Sequence, residues 1–272
     1  MKYQPSLPEH NDNVSHEQPV REFFLILGGL AALAAIAFWL LGLMVDIGVD
    51  NLSPETEARI NNAFATKWEK EKPFAPEKRA MLQKMADELK QCAGLPYPVT
   101  VYFTESEMPN AAVFPGGNIV VFSGLLGKVQ SKNGLAFVLA HEFSHLKNRD
   151  HLRAMGRSVL LATMSAMLTG SQSDMTQVFI PLNKMTMAKH SQGREMQADN
   201  KALHILNCYY GHAGGATEFF EAMQNDPRSR DDGYSHYFAT HPQLQERIDN
   251  IGRLIRQNGF KLGPVTPLEK QG

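Results

Sequence analysis

The spacing of apolar and polar residues changes several times along the chain, and each change predicts a different element. Phe23 to Val45 carries no charge. As a helix this run of about 23 residues spans roughly 35 Å, enough for a hydrocarbon core of about 30 Å. A buried helix of a soluble domain rarely stays uncharged for so long, so the pattern predicts one transmembrane anchor with Trp39 near an interface. A cleaved signal peptide fits poorly, because a polar segment (1–22) precedes the run and no A-x-A site follows it. Arg21 stands before the span, whereas Asp46, Asp50, Glu55 and Glu57 follow it and the next basic residue is Arg59. The positive-inside rule then puts a short N-terminus in the cytoplasm and the rest in a bacterial periplasm.

After the anchor, Ser53-Pro54-Glu55 predicts a helix start, with the helix running to Lys70 and a solvated charge run at 68–72. Pro73 and Pro76 interrupt it, and a second amphipathic helix is expected from Pro76 to Cys92, ending near Gly94. The β pattern is confined to Pro98–Phe103, Ala111–Phe114 and Asn118–Phe122, the last two joined by the hairpin turn Pro115-Gly116-Gly117. Helical spacing then returns, with a main helix from Asn133 to Asp150. Val159–Leu168 is apolar but too short to cross a bilayer, which predicts a buried or interfacial helix. A loop at 170–173, a helix from Met175 to Leu206 and a last helix from Pro242 to Gln257 complete the expectation.

Composition removes some function classes. With 27 basic against 28 acidic residues there is no basic excess of the kind that binds nucleic acid. Thirteen methionines read first as core filler. Cys92 and Cys208 are too few and too far apart for a zinc ribbon; they make one bridge or two buried thiols.

The candidate chemistry lies on the main helix, at His141-Glu142-Phe143-Ser144-His145. Histidines four apart share a helix face and can reach one ion. Glu142 sits between them in sequence, placed to take a proton from metal-bound water without itself being a ligand. A catalytic zinc needs a third protein ligand and an open position. His151 would give the spacing of a third histidine beyond a left-handed Asn148. Glu195, with Asp199 one turn on, is the favoured rival, because an acid so placed can hold a ligand histidine through its far ring nitrogen.

Four stretches together resemble family forty-eight of the metallopeptidases, the HtpX-like and Ste-type zinc endopeptidases. They are 110–126 before the main helix, Ala140 to Asp150 (AHEFSHLKNRD), Arg194 to Asp199 (REMQAD), and Thr240-His241-Pro242 with Glu246-Arg247-Ile248. The resemblance implies a zincin-type (gluzincin) domain with ligands His141, His145 and Glu195, Glu142 as base and Asp199 in support. It further implies His241 near the metal, as an oxyanion donor or as an occupant of the open position at rest, and Arg247 as electrostatic support. The strand bearing Asn118, Val120 and Phe122 is then expected as the edge to which an extended substrate adds. A single anchor departs from the multi-spanning members and suits envelope or membrane-protein quality control better than a substrate held in a membrane chamber.

The expectation is therefore an α+β, predominantly helical protein: a polar segment (1–22), an anchor (23–45), a zinc peptidase domain (46–262) and a tail (263–272). One Zn2+ per chain, protein or peptide substrates, a lipid bilayer and no nucleic acid are its expected partners. A catalytically silent, zinc-stabilised binding module and a zinc exopeptidase are the alternatives. The segment between Leu152 and His190 is a further candidate cover for the cleft.

Overall fold

The structure is a computed structural model that describes residues 19–53, 55–57, 59–60, 74–169, 192–229, 241 and 244–269. The expected helix beyond Ile60, the 68–72 charge run, the 170–173 loop, the start of the Met175 helix and Pro242 lie outside the described residues. The chain divides into two compact units, 1–44 and 45–272. Helix α1, Pro19–Asp50, opens with proline in its first turn and Glu22 near its positive end. Its described residues up to Met44 include none that is buried. By length and composition it can cross a membrane.

In the larger unit, α2 (Pro76–Ala93) starts with proline in the first turn and stops at Gly94, whose φ of 60° suits a residue without Cβ. Its Leu82, Met85, Ala86, Leu89 and Ala93 form one buried stripe. Strands β1 (Thr100–Thr104), β2 (Ala111–Phe114) and β3 (Asn118–Phe122) form a sheet of order β1-β3-β2. β3 pairs parallel with β1 and antiparallel with β2. The strand bearing Asn118, Val120 and Phe122 is therefore the middle of the sheet, and the expectation that it offers a free edge is overturned. Both rows of its backbone groups are committed, because Gly116 and Gly117, at φ 78° and 83°, turn β2 back along it while β1 takes its other side.

The outer row of β1 is taken up at Val99 and Val101 by side chains of α2. Gln83 accepts from the Val101 N–H at 2.8 Å and donates to the Val99 carbonyl at 2.9 Å, and Arg79 donates to the Val101 carbonyl at 2.9 Å. Among the described residues β2 is the other edge of the sheet. The Phe122 N–H donates to the Asn110 carbonyl, which makes 110 and 122 a hydrogen-bonded pair. By the alternation of an antiparallel ladder, Ala111 and Val113 then turn their backbone groups outward, the Ala111 N–H donating to Asn110 Oδ1 at 2.9 Å.

Short helix α3 (Ser123–Lys128) leads into α4 (Lys132–Lys147), whose residues from Asn133 to Leu146 are all buried. Ser131 caps α4 by accepting from the Gly134 N–H at 3.0 Å. The expected helix does not continue to Asp150. Arg149 adopts φ 55° and α5 (Asp150–Thr169) sets off in a new direction. Val159 and Leu161 on α5 are exposed, so this is no core helix. α6 (Gln192–Tyr210) packs along α4, and α7 (Glu218–Gln224) and α8 (Leu244–Gln257) complete the helical layer over the sheet.

Phe137, Leu139, Phe143, Leu203, Leu206 and Phe219 lie at the centre of one core shared by α2, α4, α6, α7 and the sheet. Cys92 and Cys208 form a disulfide that ties α2 to α6 across 116 residues. Closing a loop of that order removes about 4–5 kcal/mol of unfolded-state entropy in the simplest chain model. The segment expected as a tail belongs to this unit as far as Leu268. The Lys132 N–H donates to the Thr266 carbonyl and the Leu268 N–H to the Gln130 carbonyl, each at 2.8 Å, which straps the start of α4.

Candidate metal centre

One turn of α4 separates His141 from His145, and both rings are almost fully buried. Each Nδ1 meets a buried acid: His141 faces Asp199 Oδ1 and His145 faces Asp150 Oδ2, both at 2.9 Å. A carboxylate accepts, so each Nδ1 carries a proton, and in the neutral ring each Nε2 keeps a lone pair for a metal ion. The two Nε2 atoms point at one another, 3.0 Å apart.

Glu195 and Asp199, four residues apart on α6, face the same side and reach this pair together. Glu195 Oε2 accepts from Arg247 Nη1 at 2.8 Å and lies 2.9 Å from His241 Nδ1. Its Oε1 is buried 3.3 Å from His145 Nε2. Donor atoms of His141, His145, Glu195 and His241 all fall within 4.8 Å of one another and could hold a metal ion. Two imidazoles and a carboxylate turned towards one point form a nitrogen-and-oxygen donor set, which suits a divalent cation.

The same crowding shifts the ionisable groups. Burial pulls His145 down, but its bonds to Asp150 and Glu195 outweigh this and push it up to about 9. His141 is also raised, burial and Arg247 being outweighed by Asp199 and Glu195. Burial raises Glu195, yet His241, His141 and His145 overcome it and hold the carboxyl well below the usual range. Metal binding to such a site needs neutral imidazoles and therefore releases protons.

Arg247 is 2% exposed, and it donates to Asp199 through Nε at 2.9 Å and Nη2 at 2.7 Å while its Nη1 holds Glu195. The guanidinium stacks on the Phe220 ring at 4.3 Å. Glu142 is 4% exposed and sends Oε1 to within 3.9 Å of His241 Nε2. A small pocket opens here, lined by Glu142, His141, His241 and Arg247 and reaching Ala111 on the edge strand β2.

His151 is not in the convergent group. Among the described residues neither of its buried ring nitrogens has a partner, and burial drives its pKa down to about 3, so it stays neutral. Asn148, which the rival spacing required in a left-handed conformation, sits at φ −81°. Spacing missed Asp150 and its partner Arg194, which are joined at 3.1 Å. An acid five residues beyond His145 has no helical reason to face it; only the bend at Arg149 brings it there.

Comparison with known proteins places these residues in context. The family described as Peptidase family M48 matches residues 76–255. Mitochondrial metalloendopeptidase OMA1 of Saccharomyces cerevisiae is 26% identical over 168 residues, covering 60% of this chain and 48% of its own. The protein of the same name in Schizosaccharomyces pombe is 33% identical over 150 residues, 53% of this chain and 42% of its own. The chain thus spans about half the length of these two curated relatives. A protease HtpX homolog of Salinibacter ruber is 24% identical over 259 residues, 84% of this chain and 91% of its own.

Proposed function

Because the chain belongs to peptidase family M48, we propose that it is a zinc-dependent metalloendopeptidase with His141, His145 and Glu195 as ligands and Glu142 as general base. The observation that carries this reading is the convergence of His141 Nε2, His145 Nε2 and Glu195 Oε1 beside Glu142, a buried carboxylate outside the group of convergent donors. Zinc, when bound, supplies a Lewis acid for the peptide carbonyl and makes a water molecule acidic. Glu142 takes the proton of the attacking water and returns it to the leaving amine. Asp199 fixes His141 in the tautomer that presents Nε2, and Arg247 holds Asp199 and Glu195 in place. Casein should be cut by the full chain, spared after chelation and cut again when zinc is restored. Zinc content without hydrolysis would favour the silent binding module, and cleavage limited to free termini the exopeptidase.

An extended substrate adds to β2, where the outward groups of Val113 and the Ala111 carbonyl lead to the pocket beside Glu142. Val113→Pro removes one outward N–H at an edge position that tolerates proline. We expect KM for an extended peptide to rise about tenfold with kcat little changed, since one backbone hydrogen bond is lost. An unchanged KM would move the substrate elsewhere.

His241 stands with its ring against both Glu195 and Glu142 and contributes the fourth convergent donor. In this reading it covers the open position at rest. His241→Ala should keep zinc and raise kcat/KM, read from peptide hydrolysis beside metal content. A fall with zinc retained would make it an oxyanion donor instead.

The remaining assignments concern place. α1 anchors the chain in a bilayer, and the Cys92–Cys208 bridge suits an oxidising compartment such as a bacterial periplasm. Membrane and envelope proteins due for removal are then the natural substrate class. The printed names of the relatives, a metalloendopeptidase and a protease, support the proteolytic part of this reading.

A further inference from the structure

We propose that Asp150 is the positioning residue of His145, and that Arg194 and Asp46 extend it into a charge relay from the metal site to the end of α1. This rests on the metal-ligand reading above. Asp150 is 2% exposed and divides its two oxygens between two partners. Oδ2 meets His145 Nδ1 at 2.9 Å and Oδ1 meets Arg194 Nη1 at 3.1 Å. Arg194 directly precedes Glu195, so one ion pair braces the second imidazole and the third ligand together.

The arrangement mirrors the other half of the site, where Asp199 holds His141 and Arg247 holds Asp199. It depends on a built bend. Arg149 occupies a left-handed conformation that its side chain resists, and its guanidinium is fixed by the Val49 carbonyl at 2.9 Å and by Glu57 at 3.0 Å. That bend starts α5 at Asp150 and puts the carboxylate in the first turn, where the helix N-terminus favours negative charge.

The relay then leaves the core. Arg194 Nη2 lies 3.9 Å from Asp46 Oδ1, and Asp46 also takes Arg153 at 3.4 Å and Arg157 at 2.7 Å. Asp46 and Asp50 are the first acids after the uncharged run of α1. The end of that helix is thus joined by charge to the support of a metal ligand. Loss of a buried acid behind a metal-bound imidazole lowers metal affinity about 10–100-fold. Partly exposed pairs such as Arg194–Asp46 carry less, up to about fivefold.

The test uses the full chain in detergent, with zinc affinity from chelator competition and the visible absorption of the cobalt-substituted protein. Asp150→Ala should weaken zinc about 10–100-fold and alter the cobalt spectrum, with Asp150→Asn between it and wild type. Arg194→Gln and Asp46→Asn should follow in decreasing order, each within about fivefold. Thermal melting of the metal-free variants separates positioning from folding. If the Asp150 variants melt lower yet bind zinc as wild type does, Asp150 only starts a helix and the proposal is overturned. If Asp46→Asn leaves affinity unchanged while Asp150→Asn lowers it, the relay stops at Arg194 and the link to α1 is refuted. Wild type that binds no zinc would instead overturn the ligand reading beneath it.

Discussion

Glu142→Gln is expected to lower kcat/KM for casein or a peptide by about 10²–10⁴-fold while the protein keeps its zinc. The amide has the carboxylate's shape but cannot accept the proton of the attacking water. Metal content should hold because Glu142 is not among the four convergent donors, although its Oε1 lies within 3.9 Å of His241 Nε2. Burial of the carboxylate, at 4% exposed, keeps bulk water from replacing it as the base. Hydrolysis and zinc content measured on the same preparation decide the matter. Full turnover by the variant would remove Glu142 from the mechanism.

The second large effect concerns the third ligand. Glu195→Ala should weaken zinc binding by well over the 10–100-fold that loss of an outer partner costs. Two losses combine there. One ligand oxygen disappears, and Arg247, at 2% exposed, loses the carboxylate on its Nη1 and faces the cation with less compensation. Glu195→Gln keeps the volume and separates the loss of charge from the loss of packing. His151→Ala should leave zinc in place, because neither ring nitrogen belongs to the convergent group. Chelator competition on the three variants reads the difference. Zinc lost from His151→Ala and kept by Glu195→Ala would reverse the choice of ligand.

What could be read in the sequence followed from local periodicity. Apolar residues at Leu135, Val138, Leu139, Phe143 and Leu146 fix the helix that carries His141 and His145, and spacing four puts those rings on one face. The same spacing pairs Glu195 with Asp199, and the structure brings both pairs together. The long uncharged run was equally legible, since nothing but its own composition defines it.

Non-local choices were hidden. The Pro115-Gly116-Gly117 turn fixes the pairing of β2 with β3, but where β1 docks depends on α2 and the core, so the edge was assigned to the wrong strand. The bend at Arg149 involves no glycine and is held by Val49 and Glu57, residues about a hundred positions away. Hence the acid behind His145 escaped a reading based on helical spacing. The strap of residues 266–268 over the start of α4 likewise rests on backbone hydrogen bonds that composition does not announce. The two cysteines had only each other as partners, but whether they joined depended on α2 meeting α6.

The central claim is that one divalent ion sits among two imidazoles and a carboxylate delivered by separate helices. A crystal structure of the zinc-loaded full chain, with anomalous data collected at the zinc edge, tests it most directly. The account predicts a single anomalous peak bonded to His141 Nε2, His145 Nε2 and Glu195. A peak bonded to His151 in place of Glu195, or none within reach of these side chains, would contradict it.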